Sequence, residues 1–188
     1  MKAARESWRQ KQPELDGKKL IFINETGLNT KMTRLYGRSA KNQRCVAHVP
    51  HGHWRSTSMI AALRCDGVAA PFLIDGAVDA HVFTAYLQHV LCPELHAGDI
   101  VILDNLSTHK IAAVKTLVEA RGASVQYLPA YSPDLNPIEM AFAKLKAHLR
   151  QAAARTTEQL QTAVVNALTS FRPDHCQAFF RHANYVSI

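Results

Sequence analysis

The sequence predicts an α/β fold with a five-stranded mixed sheet flanked by helices, and three observations carry that prediction. Two β-rich runs, residues 56–64 and 68–74, are separated by Asp66-Gly67, a strong hairpin signal, so the sheet has an antiparallel part. Two later apolar runs, residues 100–103 and 125–128, alternate with helical segments, as parallel strands joined by crossovers do. Leu20-Ile-Phe-Ile23 is unbroken apolar sequence, the pattern of a strand covered on both faces.

Taken in order, residues 3–14 read as a helical lead-in that stops at Pro13, and Asp16-Gly17 makes a turn. Residues 20–25 form the first strand. Residues 27–53 lack periodicity and carry Lys31, Arg34, Arg38, Lys41 and Arg44, so they read as a basic loop with a short strand at 45–49. After the hairpin, Val82, Phe83, Tyr86, Leu87 and Val90 give helical spacing over 81–91, which Pro93 ends. Residues 110–120 form an amphipathic helix closed by Gly122. A Pro-punctuated turn, 129–137, precedes a long helix over 138–153. A further helix, 157–171, is capped by Thr156 or Thr157 with Glu158 in its first turn, and a short helix lies within 173–185. The sequence contains no repeats and no low-complexity segments.

At 188 residues the chain has the length of one domain with a full core. No stretch approaches the roughly 18 apolar residues of a membrane span, and the first residues have no apolar signal region, which predicts a cytoplasmic protein. Cys45, Cys65, Cys92 and Cys176 are scattered without a CxxC pair, as reduced thiols are. The formal net charge is +7 with ten further histidines. That balance favours a polyanionic partner, most simply nucleic acid, although an ordinary basic protein has the same charge.

Two acids stand out by their settings. Asp104 ends the apolar run Ile100-Val-Ile-Leu103, and Glu139 is delivered to the start of a helix by Ser132-Pro-Asp-Leu-Asn-Pro-Ile-Glu139. If the fourth strand pairs beside the first, positions 24 and 104 share a crevice outside the strand carboxyl ends, where such sheets hold ligands. Three acids so placed could hold two Mg²⁺ ions on a phosphodiester. Position 24, however, is Asn. Glu25 cannot replace it while the strand continues, because neighbours on a strand face opposite ways.

The segments Phe22-Ile-Asn-Glu-Thr-Gly27, Asp104-Asn105 with His109, and Tyr131-Ser-Pro-Asp-Leu-Asn-Pro-Ile-Glu139 resemble the catalytic domain of mariner-related bacterial insertion-sequence transposases. These belong to the DDE group, with a ribonuclease-H-like (retroviral-integrase-like) fold. The resemblance covers residues 8–185 and implies one catalytic domain over 1–188. It implies a Mg²⁺- or Mn²⁺-dependent endonuclease and strand transferase acting on double-stranded DNA, both transposon ends and target. The implied metal and catalytic positions are Asn24, Asp104 and Glu139, with two ions in an intact site. Asn24 departs from the family's first acid and implies impaired catalysis. Relatives also carry an N-terminal helix-turn-helix module, here expected as a separate protein or fusion, and act as dimers; a nucleoid-associated place in a bacterial cytoplasm follows. A non-catalytic DNA-binding relic or regulator is the alternative, and a nuclease acting on RNA–DNA hybrids a further one.

Each residue also has a plainer reading. Glu139 follows Asn136 by three residues, so the two could form a capping box; Asp104 could cap the turn after its strand. Asp75 and Asp79 read as turn residues. His48, His51 and His53 lack a cysteine partner at zinc spacing, so Pro50-His-Gly-His-Trp-Arg55 reads as a loop near nucleic acid, with Trp54 stacking and Arg55 on phosphate, or as a plain packed Trp. Arg34, Arg38, Lys144 and Lys146 are further candidate DNA contacts, as are Arg150 and Arg155, although a solvated helix face accounts equally well for the cations after Glu139. His109 lies near the metal site or merely begins the next helix.

Overall fold

The computed structural model describes residues 2–106 and 112–185. Its strands are β1 (Leu20–Asn29), β2 (Ser56–Leu63), β3 (Val68–Asp75), β4 (Ile100–Leu103) and β5 (Ser124–Tyr127). They form one sheet in the order β3-β2-β1-β4-β5. The β1–β2–β3 part is antiparallel, whereas β4 runs parallel to both β1 and β5. The helices are α1 (Lys2–Lys11), α2 (Ala80–Tyr86), α3 (Ala112–Glu119), α4 (Ile138–Ala152), α5 (Thr157–Leu168) and α6 (Pro173–His182).

β1 shows why an unbroken apolar run belongs at the sheet centre. Leu20 and Phe22 face one core, with Ile138, Phe142 and Leu145 of α4 and Phe180 of α6. Ile21 and Ile23 face the other, with Phe83 and Tyr86 of α2 and Val114 and Val118 of α3. A period-two alternation between two apolar layers leaves no polar position in the strand until Asn24. The α1 helix and the chain end close one layer. The Trp8 indole N–H donates to the Tyr185 hydroxyl at 2.9 Å, and that hydroxyl donates to the Leu135 carbonyl at 2.8 Å.

The structure departs from the sequence reading in four places. β1 continues to Asn29, because its antiparallel pairing with β2 extends to Asn29↔Ser56 after the parallel partner has ended. Glu25 therefore lies inside a strand, opposite Ile60. The expected strand at 45–49 does not form. Val46 and Val49 are exposed instead. The helix expected over 81–91 is α-helical only to Tyr86 and then widens into a π-turn, Leu87–Leu91. Finally, Asn136 makes no capping-box bond to Glu139; α4 begins after Pro137 without a side-chain cap. Thr156 does cap α5, accepting from the Gln159 N–H at 3.2 Å. Among the described residues no helix is long and apolar enough to cross a membrane.

Candidate active site

Parallel pairing of Phe22 with Ile102 puts Asn24 and Asp104 side by side, each two residues further along. Asp104 sits one residue past the end of β4, where its Oδ1 accepts the Leu106 N–H at 3.1 Å. The turn-capping reading of Asp104 is thus realised, and the same bond fixes the carboxylate at the strand end. Asn24 is almost fully buried. Its Oδ1 accepts the Glu25 N–H at 2.8 Å, and its Nδ2 donates to Glu139 Oε1 at 2.7 Å. Three side chains from β1, β4 and α4 therefore line one cleft of about 350 Å³, together with Leu106, Tyr131 and Asn136.

The turn that launches α4 is braced from outside. Arg5 of α1 donates to both Asp134 oxygens, at 2.9 and 2.7 Å, to Ser132 Oγ at 2.9 Å and to the Tyr131 carbonyl at 3.2 Å. Arg9, one turn on, reaches the same carboxylate at 3.5 Å. The Arg5 hydrogen bonds hold the Asp134 carboxyl below its usual pKa. Sequence reading missed this brace; the Arg5/Arg9 spacing marks one helix face, but nothing local points to a partner 129 residues away. Asn136, read from the sequence as a capping partner, is 4% exposed, and its Oδ1 has no hydrogen-bond partner among the described residues.

The other candidates fall into separate groups. Trp54 and Lys146 line a second groove with Lys31 and Arg150, and Arg34 borders α4 near Lys144 and Arg150. Arg38 is exposed on the basic loop. Arg55 is exposed, its backbone N–H tied to Thr30 Oγ1 at 3.2 Å. Lys144 is engaged by the protein itself: Nζ donates to the Ser170 carbonyl at 2.9 Å, lies 2.6 Å from His175 Nδ1 and sits over the Phe171 ring, and burial lowers its pKa. His109 lies outside the described residues. Asp79 caps α2 and Asp75 accepts from Thr57. Among the described residues no three His, Cys, Asp or Glu side chains gather as a metal cluster.

Asp104 and Glu139 supply hard oxygen donors, and the fold that carries them resembles known proteins. The chain superposes on the Mos1 transposase paired-end complex with left transposon end, with a TM-score of 0.72 at 17% identity over 96% of this chain and 56% of that one. It superposes likewise on the mariner Mos1 paired-end complex with Mg (TM-score 0.72, 17% identity, 97% of this chain and 59% of that). The match to the catalytic domain of Mos1 mariner transposase has a TM-score of 0.65 at 15% identity, over 98% of this chain and 87% of that. At such identities the likeness establishes the fold, the ribonuclease-H-like one. The chain spans a little over half the length of the full Mos1 chains. No curated protein sequence matches it. A family model described as DDE superfamily endonuclease matches residues 19–161, most of the chain, and the protein therefore belongs to that family.

Proposed function

We propose that this chain is the catalytic domain of a DNA transposase whose metal site is weakened by Asn24. The observation that supports the reading is the meeting of Asn24 within β1, Asp104 just past the end of β4 and Glu139 at the start of α4, in a member of a DDE endonuclease family. In the transposase reading Asp104 and Glu139 would hold a divalent ion such as Mg²⁺ or Mn²⁺, as the Mos1 structures with Mg and Mn suggest. When bound, such an ion supplies Lewis-acid activation of a phosphodiester and stabilises its developing charge. A pair of carboxylates with one neutral oxygen fits a hard cation that keeps several waters.

Asn24 changes what the protein does at that place. An acid there would share charge with Glu139 and repel it until a cation arrives; the amide instead donates a hydrogen bond to Glu139. The bond engages a carboxylate oxygen that metal would otherwise use, and Asp104 and Glu139 have no third anion beside them to gather two dications. Asp104, oriented by the Leu106 N–H, and Glu139, set by the braced turn, keep their positions for one weakly held ion. Lys146 and Arg150, 7 and 11 residues after Glu139, lie on its face of α4 and suit a DNA strand leaving the cleft. Reading of transposon ends would require a helix-turn-helix region, fused or supplied separately, and a second copy for strand exchange.

A second reading, DNA binding without strand cleavage, is favoured by the same Asn24–Glu139 bond, since a site held together without metal suits a regulator of transposition. Mn²⁺ binding followed by electron paramagnetic resonance tests the metal assignment. A single weak site that Asp104→Ala abolishes is expected; binding unchanged in that variant would overturn it.

A further inference from the structure

A second groove, of about 450 Å³, lies between the end of β1 and α4. Its floor is Gly27, and its walls carry the exposed apolar side chains of Leu35, Val49 and Trp54. Among the described residues three cations rim it, Lys31, Lys146 and Arg150, and no acid lines it. Trp54 is 53% exposed, and Lys31 Nζ sits over its ring, 4.5 Å from the centroid. An open indole with an ammonium on its face, apolar walls and a cationic rim matches neither a packed core tryptophan nor a plain phosphate patch.

We propose that this groove holds one unpaired nucleotide of the DNA strand, with its base stacked on Trp54 and its phosphates among Lys31, Lys146 and Arg150. The inference rests on the DNA reading above but not on metal or cleavage. Apolar walls and an aromatic face suit a base, while the cationic rim suits its phosphodiesters. The concavity excludes a base still stacked within a duplex, so the occupant is a nucleotide turned out of the helix or a single strand. An exposed ammonium–indole contact is weaker than base stacking, so the base displaces Lys31 from the ring and leaves that ammonium free to meet the phosphate. Position follows from helix geometry. Lys146 and Arg150 lie about 10 and 16 Å along α4 from Glu139, on the same face. The held nucleotide therefore lies a few positions along the strand from the phosphate at the acid cleft.

The chain has two tryptophans, and Trp8 is buried against Tyr185, so Trp54 dominates any quenching by a stacked base. The test is a titration of the whole chain, in EDTA, with single-stranded dT12 and with a blunt duplex of the same length, followed by tryptophan fluorescence and by anisotropy of labelled DNA. The single strand should quench strongly and bind more tightly than the duplex. Trp54→Leu, which keeps Trp8, should lose the quenching and about tenfold or more in affinity, and Trp54→Phe should keep most of the affinity. Gly27→Phe should also block the site; a Cβ there meets nothing within 4 Å, so this variant tests occupancy without crowding the fold. Equal binding and quenching by duplex and single strand, or single-strand affinity unchanged by both Trp54→Leu and Gly27→Phe, would overturn the proposal. No metal is present in the titration, so these outcomes are independent of whether the acid cleft cleaves DNA.

Discussion

Asn24→Asp should make the domain less stable in EDTA while making it responsive to metal. In the native chain Nδ2 of Asn24 lies 2.7 Å from Glu139 Oε1 as a donor. An aspartate would put a second anionic oxygen at that place. Two unit charges about 4 Å apart interact by about 4 kcal/mol at an effective dielectric of about 20. The Glu139 side is open to water, so a net loss of about 2–3 kcal/mol is the better expectation, including the hydrogen bond removed. At about 2–4 °C per kcal/mol for a domain of this size, the melting temperature should fall by roughly 4–12 °C at pH 7. Protonation relieves the repulsion, so the folded pair holds a proton at a raised pKa. The sign follows: the folded state binds more protons than the unfolded one, and the deficit grows as pH rises from about 4 to that raised pKa and shrinks on acidification. Mn²⁺ at a hundred times its dissociation constant should return about 2.7 kcal/mol. Thermal melts of both forms in EDTA and in Mn²⁺, at pH 5 and pH 7, check this. Equal melting in EDTA together with no metal response would refute the reasoning.

Three further outcomes follow from other contacts. Arg5→Ala should lower the melting temperature slightly, and Arg5→Lys should not restore it, because a lysine cannot span both Asp134 oxygens; the half-exposed carboxylate keeps the effect small. Tyr185→Phe removes the acceptor of the Trp8 indole and the donor to Leu135, so about 1–3 kcal/mol should be lost in denaturant titration. Burial opposes ionisation of Asp99, but hydrogen bonds from Arg64 and the His96 N–H outweigh it and hold the carboxyl below its usual pKa. Its contribution is therefore present above about pH 4 and lost as pH falls through the lower folded value. Arg64→Gln leaves the buried carboxylate without its guanidinium partner, which should cost about 3 kcal/mol at pH 7 and less at pH 3, measured by urea unfolding at the two pH values.

What was legible in the sequence was what local chemistry decides. β4 and the α4 start were readable because an apolar run ends in an acid and a Pro-Asn turn precedes a helical pattern. Asn24 and Asp104 could be placed together because a parallel neighbour fixes both strand ends at once. The length of β1 was not readable past Glu25, since residues 26–29 are held by cross-strand bonds to β2 rather than by their own pattern. The same dependence on neighbours applies to residues 45–49, whose valines, Val46 and Val49, are exposed and lie outside the sheet. Asn136 looked like half of a capping box from spacing alone, but Glu139 turns instead to an amide 115 residues earlier. Arg5 carries no local sign of its partner, for the same reason of distance.

The central claim is that position 24 belongs to a metal site for cleaving DNA. Single-turnover nicking of duplex DNA in Mn²⁺, with a helix-turn-helix region fused or added, tests it most directly. The native chain should be nearly inert. Asn24→Asp should gain about a hundredfold or more, equivalent to roughly 2.7 kcal/mol of transition-state stabilisation. Adding Glu139→Gln should remove the gain. Nicking by the native chain as fast as by Asn24→Asp, with both dependent on Glu139, would contradict the account.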